Sequence, residues 1–299
     1  METLPVDDVL HRFLLEEAGV RGVLVRLGPA WREVAARADY PPALHTLLGE
    51  ALAASAMLTG NIKLDGALSL ELKSRGGLRL LFTECNDQGR VRGLARWNDP
   101  LPDPLPLQAL PDAIMAITIG NVERDQRYQG LVELAQPHLG EVLEGYFAQS
   151  EQLPARIVLA ADGEHAVGLM LQKMPEEGGR DAAQDEDGWN RVLHLTATLG
   201  TDELLTGAPE QVLYRLYHEE SVRLFEPRPL VFGCSCSRER VSAMLRSLGR
   251  EEVEAALAAR GDEIEVICEF CAQHYYFDRV DAEHLLSSGA VAGAPQTAQ

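Results

Sequence analysis

Basic side chains are scarce in this sequence. Lys and Arg number 27 against 46 Asp and Glu, a formal net charge of −19 in 299 residues. Affinity for nucleic acid comes mainly from Lys and Arg neutralising phosphates, so a nucleic-acid partner is disfavoured and none is expected. Only Lys63, Lys73 and Lys173 are lysines, and none follows a glycine, so there is no phosphate-binding loop ending in Gly-Lys-Ser/Thr. Neither a Gly-x-Ser-x-Gly elbow nor a His-Glu-x-x-His pair occurs; His218-Glu219 lacks the second histidine. The eight histidines are scattered and read as structural or solvent-exposed. Together these absences point away from an enzyme. Cysteine is rare too, and five in a chain of this length cannot form a disulfide scaffold. Long apolar runs are missing: residues 43–58 include His45 and Glu50 and read as a core helix, not a membrane span. The N-terminus lacks the basic start and apolar stretch of a signal peptide, so a cytoplasmic location with no membrane partner is expected.

Hydrophobic residues make up 46 % of the chain, an ordinary share for a folded protein. Residues 22–27 (GVLVRL) and 67–72 (ALSLEL) alternate with the period of a strand. Residues 78–82 and 90–97 flank the turn Asn86-Asp87-Gln88-Gly89 and read as an antiparallel meander. Residues 42–58 and 139–149 read as helices, 155–160 and 166–172 as strands, and the proline-rich 98–111 as a loop. This mixture predicts an α+β N-terminal domain over residues 1–175. Residues 175–188 then carry six carboxylates and one Arg with no long aliphatic side chain, an acidic flexible connector. Helices expected at 189–199 and 210–219 make residues 176–230 a helical linker region. A small module follows over 231–286, and a small-residue tail over 287–299 reads as disordered.

Four of the five cysteines lie in that module, as Cys234-Ser235-Cys236 and Cys268-Glu269-Phe270-Cys271. Between the pairs, Val241, Met244, Leu245 and Leu248 mark one short helix closed by Gly249; Val253 and Leu257 mark a second that stops at Gly261. Strands at 264–267 and 275–277 put the second pair at a hairpin tip, where a metal knuckle is expected. Four thiolates about 2.3 Å from a tetrahedral Zn2+ lie roughly 3.8 Å apart, which short-spaced pairs can supply. A module of about 55 residues has too small a core to fold unaided, so a metal would be a major stabiliser. Zinc ribbons normally use two Cys-x2-Cys knuckles, so the Cys-x-Cys half sets this chain apart. Four thiolates leave no open position for catalysis, although His274 is an alternative ligand. Spacing alone favours a permanent metal staple over a switch. A redox function follows only if the metal-bound thiolates, the reactive form of cysteine, can be attacked. The loop 248–250 between two helices suggests a helix-turn-helix, but Glu251, Glu252 and Glu254 would meet phosphates there.

The sequence resembles the redox-regulated heat shock chaperone family of bacteria, the 33 kDa chaperonin family. The segments that carry the likeness are Cys234-Ser235-Cys236-Ser237-Arg238-Glu239-Arg240-Val241 and Cys268-Glu269-Phe270-Cys271 followed by Tyr276 and Phe277. Arg127-Tyr128-Gln129-Gly130 and Tyr146-Phe147-Ala148-Gln149-Ser150-Glu151-Gln152 add to it. The resemblance implies that Cys234, Cys236, Cys268 and Cys271 bind one Zn2+ per chain in a reduced, inactive state. It implies that oxidants convert them to Cys234–Cys236 and Cys268–Cys271 disulfides with zinc release. The module and linker then unfold, the chain dimerises, and unfolded or partly unfolded client proteins are held without ATP. Two residues of extended chain span roughly 6.6–7.2 Å between Cα atoms, at the limit for a disulfide, so Cys234 and Cys236 must leave an extended path to pair. Cys85 matches no motif cysteine and reads as a small buried or edge residue. Two other readings stand beside this one: an interaction protein whose zinc never leaves, and a thiol oxidoreductase working through Cys268 and Cys271.

Overall fold

The helix expected over residues 42–58 forms the centre of the larger unit in this computed structural model, which describes residues 7–63, 65–98, 100–121, 126–175, 187–259 and 261–288. The acidic connector, apart from its ends, and the tail beyond Ser288 lie outside the described residues. The chain divides into two units after Gly233.

In chain order, the first unit comprises β1 (Val9–Leu15), β2 (Val20–Leu27), α1 (Pro29–Ala35), α2 (Pro42–Thr59), β3 (Ala67–Lys73), β4 (Leu78–Asn86), β5 (Arg90–Trp97), β6 (Ile114–Asn121) and β7 (Gln126–Val132). It continues with α3 (Leu139–Tyr146), β8 (Ala155–Ala161), β9 (Ala166–Lys173), α4 (Gly188–Thr196), α5 (Thr201–Thr206), α6 (Pro209–Tyr217), β10 (Val222–Leu224), β11 (Arg228–Pro229) and β12 (Val231–Phe232). One sheet runs β10-β1-β2-β9-β8, with β11 also on β1; the other runs β12-β5-β4-β3-β6-β7. Every pairing is antiparallel except β12 on β5. The expected meander is β4 and β5, joined through a turn in which the Asn86 side chain accepts from the Gln88 and Arg90 amides. The helix at 139–149 is α-helical only to Tyr146 and finishes as a wider π-type turn through Glu151. The loop at 98–111 contains a short 3-10 turn at Leu107–Ala109.

The helix α2 begins on Pro42, whose fixed φ suits the first turn, and is buried without a break from Ala51 to Thr59. A helical stretch apolar on all sides, as this second half is, belongs inside a core. Leu10 and Val23 of one sheet and Leu70 and Leu81 of the other join Leu48, Leu52 and Met57 of this helix in one buried cluster. Its run of Ala51, Ala53, Ala54 and Ala56 lets the backbone approach closely. At Gly49 a Cβ would lie 2.5 Å from the Ala161 Cβ, so only glycine fits.

A second apolar layer lies on the other face of the β1-β2-β9 sheet. Phe13, Leu15, Val20, Leu24, Leu169 and Leu171 from the strands pack with Val192, Leu204, Leu205, Val212, Leu213, Leu216 and Tyr217 from α4, α5 and α6. Coverage on both faces explains why β9 is buried at every position but its last. It also changes the reading of residues 22–27: Arg26, the polar member of that alternation, is only 4 % exposed. Its guanidinium donates to Asp7 Oδ1 at 2.6 Å and to the carbonyls of Leu205 (2.5 Å) and Gly207 (3.2 Å) at the end of α5. Arg191 and Glu220 add an ion pair at 2.6 Å between α4 and the segment after α6.

The second unit contains α7 (Arg238–Leu248), α8 (Arg250–Ala259), β13 (Glu263–Ile267), β14 (His274–Asp278) and α9 (Arg279–Ser288). Its apolar core is small: Val241, Leu245, Val253, Leu257, Ile264, Phe277 and Ala282. α9 was not among the expected elements; Ala282 brings it into this core.

Candidate metal centre

Two short segments of the second unit bring the four cysteines together. The first is irregular chain ending at Ser237, whose extended backbone and side-chain oxygen cap α7 by accepting from the Arg240 amide at 3.3 Å. Arg240 reaches back and donates to the Ser235 carbonyl at 2.7 Å, so the helix start also holds the peptide between Cys234 and Cys236. The second segment is the tip of the β13–β14 hairpin. There the Cys268 amide donates to the Gln273 carbonyl at 2.9 Å and the Ala272 amide to the Cys268 carbonyl at 2.7 Å. Ala272 adopts a φ of 57°, the left-handed conformation that closes the turn.

The Sγ atoms of Cys234, Cys236, Cys268 and Cys271 all lie within 4.8 Å of one another. Cys234 is 3.6 Å from Cys268 and Cys236 is 3.3 Å from Cys271, both across the two pairs. Tetrahedral zinc thiolate requires sulfurs roughly 3.8 Å apart, so the donor set fits a thiolate-bound metal ion. All four are half-buried free thiols. Burial, and then the sulfurs of Cys236, Cys268 and Cys234, push the Cys271 thiol well above its ordinary range. A cation removes that penalty by accepting the thiolates, which is why such clusters bind metal and release protons together.

His274 is not brought into the cluster. Its Nδ1 lies 2.6 Å from Glu265 Oε1 on the facing strand. Cys85 is also remote from it in kind: it is fully buried in β4, its sulfur 3.8 Å from Thr59 Oγ1, and burial pushes its thiol up to about 11. Sequence reasoning missed Tyr275, whose hydroxyl donates to Cys236 Sγ at 3.1 Å. The available signal was strand alternation, which turns Tyr275 and Phe277 inward together. It missed Arg238 as well, which sits 4.2 Å from the Phe277 ring centre and pairs with Asp281 at 2.7 Å. Among the described residues no helix is long and apolar enough to cross a membrane.

Comparison with known proteins now adds to this geometry. The family model described as Hsp33 protein matches residues 8–278. The 33 kDa chaperonin of Chromobacterium violaceum is 44 % identical over 290 residues, 96 % of this chain and 96 % of that protein. The 33 kDa chaperonin of Nitrosococcus oceani is also 44 % identical over 290 residues, covering 97 % and 98 %. The crystal structure of the 33 kDa chaperonin (heat shock protein 33 homologue) from Thermotoga maritima superposes with a TM-score of 0.80 at 21 % identity, over 95 % of this chain and 99 % of that one. That likeness speaks for the fold, an α+β domain with a helical region and a cysteine-bearing C-terminal unit. Matched by the family model over nearly its whole length and by relatives of similar size, this chain belongs to the Hsp33 family.

Proposed function

We propose that this chain is a cytoplasmic, redox-regulated, ATP-independent holdase, switched by oxidation of Cys234, Cys236, Cys268 and Cys271. The observation that carries the reading is the four-sulfur cluster set in a unit whose apolar core has, among the described residues, only seven buried side chains. Such a unit depends on its metal. Structural zinc contributes ~10–16 kcal/mol in small peptides, so its loss decides between folded and unfolded. Family membership supports chaperone activity rather than catalysis, with unfolded or partly unfolded proteins as clients.

With hydrogen peroxide as oxidant, one molecule is consumed for each disulfide formed. One thiolate attacks the O–O bond, forming a sulfenic acid and releasing hydroxide. A neighbouring thiolate attacks that sulfur, forming the S–S bond and releasing a second hydroxide. Two electrons pass from the two sulfurs to the peroxide, and the metal loses its ligands. The pairing we propose is Cys234–Cys236 and Cys268–Cys271. Zn2+, when bound, supplies the positive charge that keeps all four sulfurs as thiolates.

Metal loss is proposed to release the three short helices that precede the second unit in the chain. α4, α5 and α6 have 9, 6 and 9 residues. Isolated helices below about 12–15 residues are marginal in water, so these three are ordered by their docking on the β1-β2-β9 sheet. Their departure would uncover an apolar surface for clients, and homodimerisation of the oxidised chain would enlarge it. The oxidoreductase reading is weaker because Cys268 and Cys271 sit at a hairpin tip rather than at the helix N-terminus that activates a redox thiol.

Light scattering of a heat-unfolding client, with zinc release followed in parallel before and after peroxide, tests the proposal. Suppression of scattering only after oxidation and zinc release is expected. Zinc that stays bound under peroxide would leave a permanent staple in its place.

A further inference from the structure

Resting on the switch reading, we propose that Tyr275 is the residue that restrains Cys236: its hydroxyl donates a hydrogen bond to the metal-bound thiolate, tightening the metal site and slowing attack by hydroperoxides. The phenol oxygen lies 3.1 Å from Cys236 Sγ, a direct hydrogen-bond contact for sulfur. Two constraints hold it there. Strand register sets Tyr275 opposite Val266, and both side chains pack against the buried cluster around Phe277. The next residue, Tyr276, faces outward at 47 % exposure, its ring stacked beside His274. Alternation along β14 therefore separates two adjacent tyrosines into one that reaches the sulfur cluster and one that does not.

The bond also joins the two halves of the site. Cys236 comes from the segment before α7, and Tyr275 from the hairpin that carries Cys268 and Cys271. A donor to a thiolate stabilises its negative charge, fixes the sulfur where the metal needs it, and occupies a lone pair that would otherwise attack the O–O bond. In that attack the S–O bond forms as the O–O bond breaks, hydroxide leaves from hydrogen peroxide or alkoxide from an organic hydroperoxide, and the sulfur's negative charge passes to the leaving oxygen. The hydrogen bond stabilises the starting thiolate more than this transition state, so it slows the step. Outer partners of metal ligands typically set affinity by 10–100-fold, the range expected for this hydroxyl.

The test uses the full-length zinc-loaded chain and two variants, Tyr275→Phe and Tyr276→Phe. Zinc competition with a chromophoric chelator, zinc release under peroxide at pH 7, and the thiolate-to-metal charge-transfer band of the Co2+-substituted chain are the three readouts. Tyr275→Phe keeps the ring and is expected to bind zinc about tenfold more weakly, release it several-fold faster under peroxide, and shift the cobalt band. Tyr276→Phe is expected to match the parent in all three. Identical affinity, release rate and cobalt spectrum for Tyr275→Phe and parent would overturn the proposal. If the parent itself keeps its zinc under peroxide, the switch reading fails, while affinity and cobalt spectrum still judge the hydrogen bond. Should Tyr275→Phe not fold, 3-fluorotyrosine placed at position 275 gives a stronger donor of nearly the same size. Slower zinc release is then expected, and unchanged or faster release overturns the proposal.

Discussion

Glu50 is the one Asp or Glu within α2, half-buried between apolar neighbours, and desolvation pushes its carboxyl up to about 7. The folded chain thus holds this proton more tightly than the unfolded chain, whose carboxyl ionises near its ordinary value. The stability linked to it is fully present at pH 4 and is lost as the pH rises through 7. Glu50→Gln is therefore expected to raise the stability of the first unit at pH 8 by roughly 1–3 kcal/mol and to leave it unchanged at pH 4. Denaturant melts at the two pH values check the sign. Cys85 illustrates the opposite use of burial. The environment that raises its thiol also keeps it from becoming thiolate, so it is chemically separate from the four clustered cysteines. The sequence already isolated it by spacing, but only its depth in β4 makes it inert.

At the scale of elements, the proposed switch would make the order of the helices α4, α5 and α6 conditional on their docking. Their apolar faces are legible in sequence, since Val212, Leu213 and Leu216 recur at helical spacing. Their partner was not, because the β1-β2-β9 face they cover is assembled from strands far apart in the chain. Leu216 is 2 % exposed in that layer. Leu216→Ala is expected to cost about 2–4 kcal/mol of docking and to speed hydrogen exchange across 187–217, with α2 and β4 unaffected. Unchanged exchange in that segment would show that docking does not hold it. β1 went unrecognised for a related reason. His11 and Arg12 interrupt its apolar pattern, yet His11 is 1 % exposed, with its Nε2 3.6 Å from Glu210 beneath α6.

At the scale of the whole molecule, the two units answer to different forces. The first has a large two-sheet core; the second, among the described residues, has a core of seven buried side chains beside four clustered sulfurs. Zinc chelation under reducing conditions is therefore expected to abolish the second unit's cooperative melt while leaving that of α2 and the surrounding strands in place. Calorimetry of the full chain with and without chelator tests this, and a single transition lost as a whole would contradict it. The net charge of −19 disfavours a nucleic-acid partner. It would also suit the proposed holdase, which has to stay in solution while apolar surface is uncovered.

What the sequence determined by itself was whatever short-range pattern carries: the meander, the core helix, the hairpin tip, and the four cysteines as one donor set. Each rests on residues close in the chain, where spacing fixes geometry. Tertiary structure alone decided the rest. It put Arg26 under α5 instead of in water, kept His274 out of the sulfur cluster, and aimed the Tyr275 hydroxyl at Cys236. Those outcomes depend on which strand pairs with which and which face each helix covers, and such long-range packing leaves no local periodicity to read.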